Sequence, residues 1–244
     1  MIDKNQCITV MANRRYLHYF PNFYQQLRVR GQYSGEINLI TDSYIHMSNF
    51  KKSKYENVNI LKFKNIKFSQ KTLKKLDAIE NGRNLSKPFQ WRKFYLFDPI
   101  FREWKFNLYI DINMQINKDI KPILNLKKDN KLIAPYDAYP DLDWRLESQF
   151  NGDIETMEEL KKDYDLDTRK YFQTGILFYD TSIIKEDTVS SLIKLVEKYP
   201  VSKNNEQGIM NLHFLYDRDL YFPLDKDFYS YWAKNNPKAI ITKK

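Results

Sequence analysis

The segment Asn107-Leu108-Tyr109-Ile110-Asp111-Ile112-Asn113 constrains this chain more than any other, because an apolar run stops abruptly at an acid, an aliphatic and an amide. Read as a strand, it sends Asp111 and Asn113, at i and i+2, to the same face, since side chains alternate along a strand. Two such oxygens can hold a hard divalent cation, and that cation can hold a diphosphate. The alternative is a plain strand-terminating turn, which both residue types favour.

The flanking pattern is that of an α/β chain. Residues 7–12 read as a short buried strand, followed by Asn13-Arg14-Arg15-Tyr16 and a helical pattern to about Arg30 that Gly31 closes. Glu36 to Ile40 and Val58 to Phe63 read as further strands, which makes a β-α-β opening with a loop where open α/β sheets bind ligands. A surface helix or loop is expected over 64–87. From Pro88 to Trp104, nine aromatic and aliphatic residues at roughly helical spacing read as a core helix, with Lys93 as its polar exception. Leu132 to Pro135 starts another strand, 136–170 forms a polar loop and helix excursion that includes Tyr139-Pro140-Asp141, and Phe172 to Tyr179 is a strand with Gly175 near its start. A glycine there often marks the close approach of a ligand. Glu186 to Tyr199 and Asn205 to Leu212 complete the helices, and no repeat or linker divides the chain, so one domain is expected over residues 1–244.

Composition narrows the partners. Hydrophobic residues make up 42% of the 244, which excludes a disordered chain. Forty Lys and Arg against 31 Asp and Glu give a charge of +9, which favours anionic partners. The excess is concentrated at Lys51-Lys52, from Lys62 to Lys75 and at Lys243-Lys244, where it reads as solvated surface or as attraction for an anionic donor, acceptor or membrane. Without a helix-turn-helix, zinc or RNP-type pattern, nucleic acid is not expected as a partner. One cysteine, Cys7, allows no internal disulfide. No transmembrane run or signal-peptide core is seen, so a cytoplasmic protein is expected. His18, His46 and His213 lie in no metal-binding spacing and read as structural or surface residues.

Four segments, in order, resemble the GT-A fold of nucleotide-sugar glycosyltransferases, and most closely glycosyltransferase family 8, the glycogenin and bacterial galactosyltransferase type. Val10-Met11-Ala12-Asn13-Arg14-Arg15-Tyr16 is similar to the family's T-x-N-x-x-Y opening, and Lys93 with Tyr109 to Asn113 to its K…YLDAD segment. Phe172-Gln173-Thr174-Gly175 looks like its F-N-S/A-G strand, and Asn205 to Asn211 like its D-Q-x-x-x-N helix. The chain has 6 Gly and no G-x-G-T-R loop, which sets it apart from the sugar nucleotidylyltransferases.

The resemblance implies a single GT-A (Rossmann-like) α/β domain with a mixed, mostly parallel central sheet flanked by helices. It implies transfer of a hexose from a nucleotide diphosphate sugar, a UDP-sugar, to a glycan or protein hydroxyl, with retention and with Mn2+ or Mg2+. Ala12, Asn13, Tyr16, Lys93, Asp111, Ile112, Asn113, Gln173, Thr174 and Gly175 would bind the nucleotide sugar. Gln207, Glu206 and Asp111 would serve catalysis, and Asp111, Asn113 and Thr242 the metal. Two of these positions depart from the pattern. Asn113 replaces the family's second acid and Thr242 its C-terminal histidine, which weakens metal affinity or hands part of the charge to Lys and Arg. The chain stops where the family's Lys-Pro-Trp element would begin, as a natural variant or a piece of a longer protein would. Bland readings stand beside these: Asn13 as a helix cap, Glu206 as a helix N-terminal acid, and the whole as a degenerate domain that binds nucleotide or glycan without transfer.

Overall fold

Strand-forming runs that are apolar on both sides demand cover on both faces of the sheet, and this chain supplies it. The computed structural model describes residues 5–42, 54–79, 88–137, 142–230, 236 and 238–243. The expectations placed on His46, Lys51, Lys52, residues 80–87, Tyr139, Pro140, Asp141 and Lys244 fall outside those residues.

In chain order, β1 (Gln6–Ala12) leads through a 3-10 turn (Leu17–Tyr19) into α1 (Phe20–Val29), then β2 (Glu36–Thr41), β3 (Val58–Lys62) and α2 (Gln70–Asp77). Next come α3 (Pro88–Trp91), β4 (Phe106–Ile110), β5 (Met114–Ile116), α4 (Lys121–Leu124), β6 (Leu132–Pro135) and α5 (Ile154–Asp163). The last part holds β7 (Ile176–Asp180), α6 (Thr188–Lys198), α7 (Glu206–Asn211), β8 (Tyr221–Leu224), β9 (Tyr229–Ser230) and β10 (Ile241–Lys243).

The main sheet has the order β3-β2-β1-β4-β7-β6-β8. Only β7 runs against the rest, being antiparallel to both β4 and β6. The edge strand β8 tolerates Pro223, as edge strands do. Alternation sorts side chains to two cores: Tyr109, Leu177 and Tyr179 pack with Trp91, Phe94, Phe97 and Leu192 on one face, while Leu108, Ile110, Ile176 and Phe178 pack with Phe23, Leu27 and Ile123 on the other. Between strands, the fully buried Asn107 amide accepts from Thr9 Oγ1 at 2.7 Å and donates to Tyr179 OH at 2.7 Å. Buried amides need such partners.

Three sequence expectations are corrected. Pro88 to Trp104 is not one helix but α3 followed by 3-10 segments at Arg92–Phe97 and Pro99–Glu103. Pro99 forces the preceding Asp98 into an extended conformation (ψ 142°), and Trp91, Phe94 and Phe97 recur every three residues, the 3-10 period. Strand β7 begins at Ile176, so Gly175 precedes the strand. Asp111 and Asn113 are not on a strand either: β4 ends at Ile110, and Met114 N–H closes a turn onto Asp111 C=O at 3.0 Å. A second, small sheet of order β5-β10-β9, not foreseen, lies against the second core.

His213 is buried in the π-helical stretch Leu212–Asp217, with its Nδ1 4.0 Å from Asp217 and its Nε2 without a partner among the described residues. Burial, helped by Arg218 and opposed by Asp187, holds its pKa down at about 4. The unfolded chain therefore binds a proton below the ordinary value near 6.5 that the folded chain refuses until pH 4. The stabilisation is whole above pH 6.5 and lost as pH falls to 4, about 3 kcal/mol in all. Urea unfolding at pH 7 and pH 4.5 is expected to show a smaller difference in His213→Leu than in the wild type. An equal difference would place the titrating group elsewhere.

Candidate functional site

The single reversed strand decides where the site lies. Because β7 runs antiparallel, the residues that lead into it, Gln173, Thr174 and Gly175, meet the trailing ends of β4 and β6 at one edge of the sheet. Asp111 N–H donates to Gly175 C=O at 2.8 Å, and Gln173 N–H to Pro135 C=O at 3.1 Å. Over this edge opens a cleft of about 880 Å³. It is lined from the β1 side by Asn13, Arg15 and Tyr16, centrally by Lys93, Asp111 and Gly175, and on the far side by Asp137, Trp144 and Gln149. Its size lies within the range of small-molecule sites.

At the centre, the Lys93 ammonium lies 2.7 Å from Glu206 Oε1 and 3.3 Å from Asp111 Oδ1, and donates to Thr174 C=O at 3.2 Å. Burial alone would lower its pKa, but the two carboxylates outweigh that and hold it above the ordinary lysine value. Thr174 Oγ1 donates to Glu206 Oε1 at 2.9 Å, and Tyr109 OH donates to Asp111 Oδ1. Burial first, and then Asp111, pushes the Tyr109 phenol well up, so it remains a donor. A Cβ added at Gly175 would lie 2.5 Å from Met114 Cε and 2.7 Å from Gln173 Oε1, the far ends of two flexible side chains that would have to shift.

Gln207 is held at three points. Its Nε2 donates to Asp137 Oδ2 and to Gln149 Oε1, both at 2.9 Å, and its Oε1 accepts from Thr174 N–H at 3.4 Å. Asp137 also accepts from Tyr171 OH at 3.0 Å and from Gln149 Nε2 at 3.1 Å. Asn205, which immediately precedes α7 and makes no side-chain capping bond to it, sits at φ 54°, a conformation few non-glycine residues adopt and one that clusters at functional sites.

Of the residues foreseen from sequence, Asn13, Tyr16, Lys93, Asp111, Ile112, Asn113, Gln173, Thr174, Gly175, Glu206 and Gln207 all line this cleft. Ala12 is fully buried behind it. Thr242 does not line it: its side chain is buried and its Oγ1 accepts from Asn117 Nδ2 at 3.2 Å. The sequence reading missed Asp137, Trp144, Gln149 and Asn204, all of which line the cleft; Lys243, read there as solvated surface or as an attraction for an anionic donor, acceptor or membrane, lines it too. Asp137 carried a readable signal, an acid just beyond the apolar run Leu132–Pro135, the same pattern that marks Asp111.

The three-ligand metal set implied by the family resemblance does not fit. Asp111 Oδ1 is taken by Lys93 and Tyr109, Asn113 is an exposed amide, and Thr242 is turned away. Among the described residues no group of three or more His, Cys, Asp or Glu side chains could hold a metal.

A seven-stranded α/β sheet with one reversed strand and a polar cleft over its edge is the architecture of the GT-A glycosyltransferases. The galactosyltransferase LgtC, solved in complex with donor and acceptor sugar analogues, superposes with a TM-score of 0.66 at 12% identity, over 97% of this chain and 86% of LgtC. The bifunctional glycosyltransferase WbbM gives 0.66 at 14% identity, over 99% of this chain and 46% of WbbM. The glycosyltransferase GlyE of Streptococcus pneumoniae TIGR4 gives 0.62 at 15% identity, over 97% and 54%. The chain thus spans about half the length of the latter two. No curated protein matches it by sequence. Residues 35–240 match the profile "Glycosyl transferase family 8", and the chain belongs to that family. It is a nucleotide-sugar glycosyltransferase.

Proposed function

We propose that this enzyme moves a hexose from a nucleotide diphosphate sugar, a UDP-sugar, to a hydroxyl of a glycan or protein with retention at the anomeric carbon, residues 1–244 acting as one domain. The observation that carries the reading is the convergence of Lys93, Asp111, Glu206 and Gln207 on the cleft that the Asn13–Tyr16 loop also lines. In this reading Asn13 and Tyr16 meet the nucleoside, Lys93 and Asp111 the diphosphate, and Gln173, Thr174, Gly175 and Glu206 the sugar. Two of the cleft-lining residues carry a buried polar atom without a partner among the described residues, the donor Gln173 Nε2 and the acceptor Asn205 Oδ1. Buried polar groups are normally paired, and a sugar hydroxyl, which both donates and accepts, suits both.

Negative charge gathers on the leaving diphosphate in the transition state, so fixed cationic groups lower the barrier. Gln207 is a neutral amide and cannot serve as a base. Its carbonyl faces developing positive charge on the sugar, and its anchors to Asp137 and Gln149 hold it there. Of the three metal ligands that the family resemblance implies, Mn2+ or Mg2+ arriving with the donor would find Asp111 and Asn113 at the cleft and not Thr242, and no step depends on it.

The test is a panel of UDP-glucose, UDP-galactose, UDP-N-acetylglucosamine and GDP-mannose, scored by thermal shift and slow donor hydrolysis with Mn2+, Mg2+ or EDTA. One donor that both stabilises and is hydrolysed supports the reading; binding without hydrolysis favours a module that has lost transfer, and no response overturns it. With that donor, Gln207→Ala is expected to lower kcat by about 100-fold while donor affinity stays within about threefold. Equal losses in both would make Gln207 a binding residue.

A further inference from the structure

The register of the small sheet determines which side chain of β10 reaches the cleft. Strand β10 is antiparallel to β5, with Lys243 opposite Met114, Thr242 opposite Gln115 and Ile241 opposite Ile116. Directly opposed residues of an antiparallel pair project to the same face. Met114 and Lys243 both line the cleft, whereas Thr242 is buried with its hydroxyl committed to Asn117. Met114 also follows the turn that carries Asp111 and Asn113, so the same register sets Lys243 beside that turn.

Lys93 is held between Asp111 and Glu206, and the Asp137 carboxylate takes hydrogen bonds from Tyr171, Gln149 and Gln207. A diphosphate entering here brings negative charge to a centre that already holds two carboxylates around one ammonium. Among the described residues no group of three His, Cys, Asp or Glu side chains could hold a metal, whereas Lys243 lines this cleft one residue along the strand from Thr242.

We propose that Lys243 takes the place of the divalent cation: its ammonium meets the diphosphate of the nucleotide donor, so that donor binding does not require a metal. This rests on the nucleotide-sugar reading above. In the transfer step the bond from the anomeric carbon to the diphosphate oxygen breaks with its electron pair on that oxygen. The acceptor hydroxyl oxygen bonds to the anomeric carbon, and its proton passes to the departing diphosphate. Lys243 forms no covalent bond and offsets the charge that the diphosphate gains.

The experiment is calorimetric titration of the whole chain with UDP and with uridine, in EDTA and in Mn2+, for the wild type, Lys243→Met and Lys243→Arg, with GDP and ADP run alongside. The wild type is expected to bind UDP in EDTA, with Mn2+ changing the affinity by no more than about threefold. Lys243→Met should weaken UDP binding in EDTA by about 10- to 100-fold, the worth of one charge-assisted contact, while uridine affinity and melting temperature hold. Lys243→Arg should restore most of the loss. UDP binding by the wild type only with Mn2+, or unchanged UDP binding by Lys243→Met, overturns the proposal and leaves the nucleotide-sugar reading standing. Failure of every nucleoside diphosphate to bind under any condition overturns both.

Discussion

Lys93→Met is expected to cost the fold about 3–5 kcal/mol and to remove transfer activity. The ammonium is buried, and it is the charge between Asp111 Oδ1 at 3.3 Å and Glu206 Oε1 at 2.7 Å. Methionine has nearly the same length but no charge, so Glu206 would keep only the Thr174 hydroxyl, and two carboxylates would face each other across an apolar side chain. Removing one partner of a buried pair is costly because the charge left behind has already been taken out of water. For a chain of this size the loss corresponds to a fall in Tm of roughly 6–20 °C, readable by calorimetry. Adding Glu206→Gln to Lys93→Met should restore part of the stability and none of the activity, since a neutral amide needs no counter-charge while the diphosphate still does. A double variant no more stable than Lys93→Met would mean that the pair is not coupled as its geometry implies.

Asp111→Asn is expected to lower kcat by about 100- to 1,000-fold, the cost of losing one pre-set electrostatic group, with little change in Tm. The amide oxygen still accepts from Tyr109 OH, and the side chain is about one-third exposed, so the fold loses little. The charge that positions Lys93 is lost. Lys93 then turns wholly to Glu206, away from the position in which both carboxylates hold it. Asp111→Ala should be as inactive and somewhat less stable, because the buried Tyr109 hydroxyl would lose its acceptor. Single-turnover rates and circular dichroism on the two variants separate these effects, and wild-type turnover in Asp111→Asn would remove Asp111 from the site.

The readable elements were those whose local pattern and tertiary place agree. Strands β1, β2, β4 and β6 are short apolar runs bounded by polar residues, and the acids and amides that follow them mark the sheet edge. Helix α6 is amphipathic and stops before Pro200, as its pattern predicts. The 88–104 segment was misread because aromatic residues spaced by three and four fit either helical period until Pro99 is given its steric due. Strands β5, β9 and β10 had no legible signal. They have two or three residues each, too short for a period, and exist because distant segments pair.

By itself, the sequence determined the α/β class, the family and the central cleft-lining residues such as Lys93, Asp111, Gln173 and Gln207, because these depend on short motifs whose local chemistry survives any rearrangement of the loops between them. Only the tertiary structure decided the rest. The reversal of β7 brings Gly175 against Asp111, the turn after β4 carries Asp111 and Asn113 in place of a strand's alternation, and Asp137 with Gln149 reaches across to hold Gln207. Register is set by pairing between residues more than a hundred positions apart, and a shift of one residue in β10 exchanges the faces of Thr242 and Lys243. No local pattern encodes that choice.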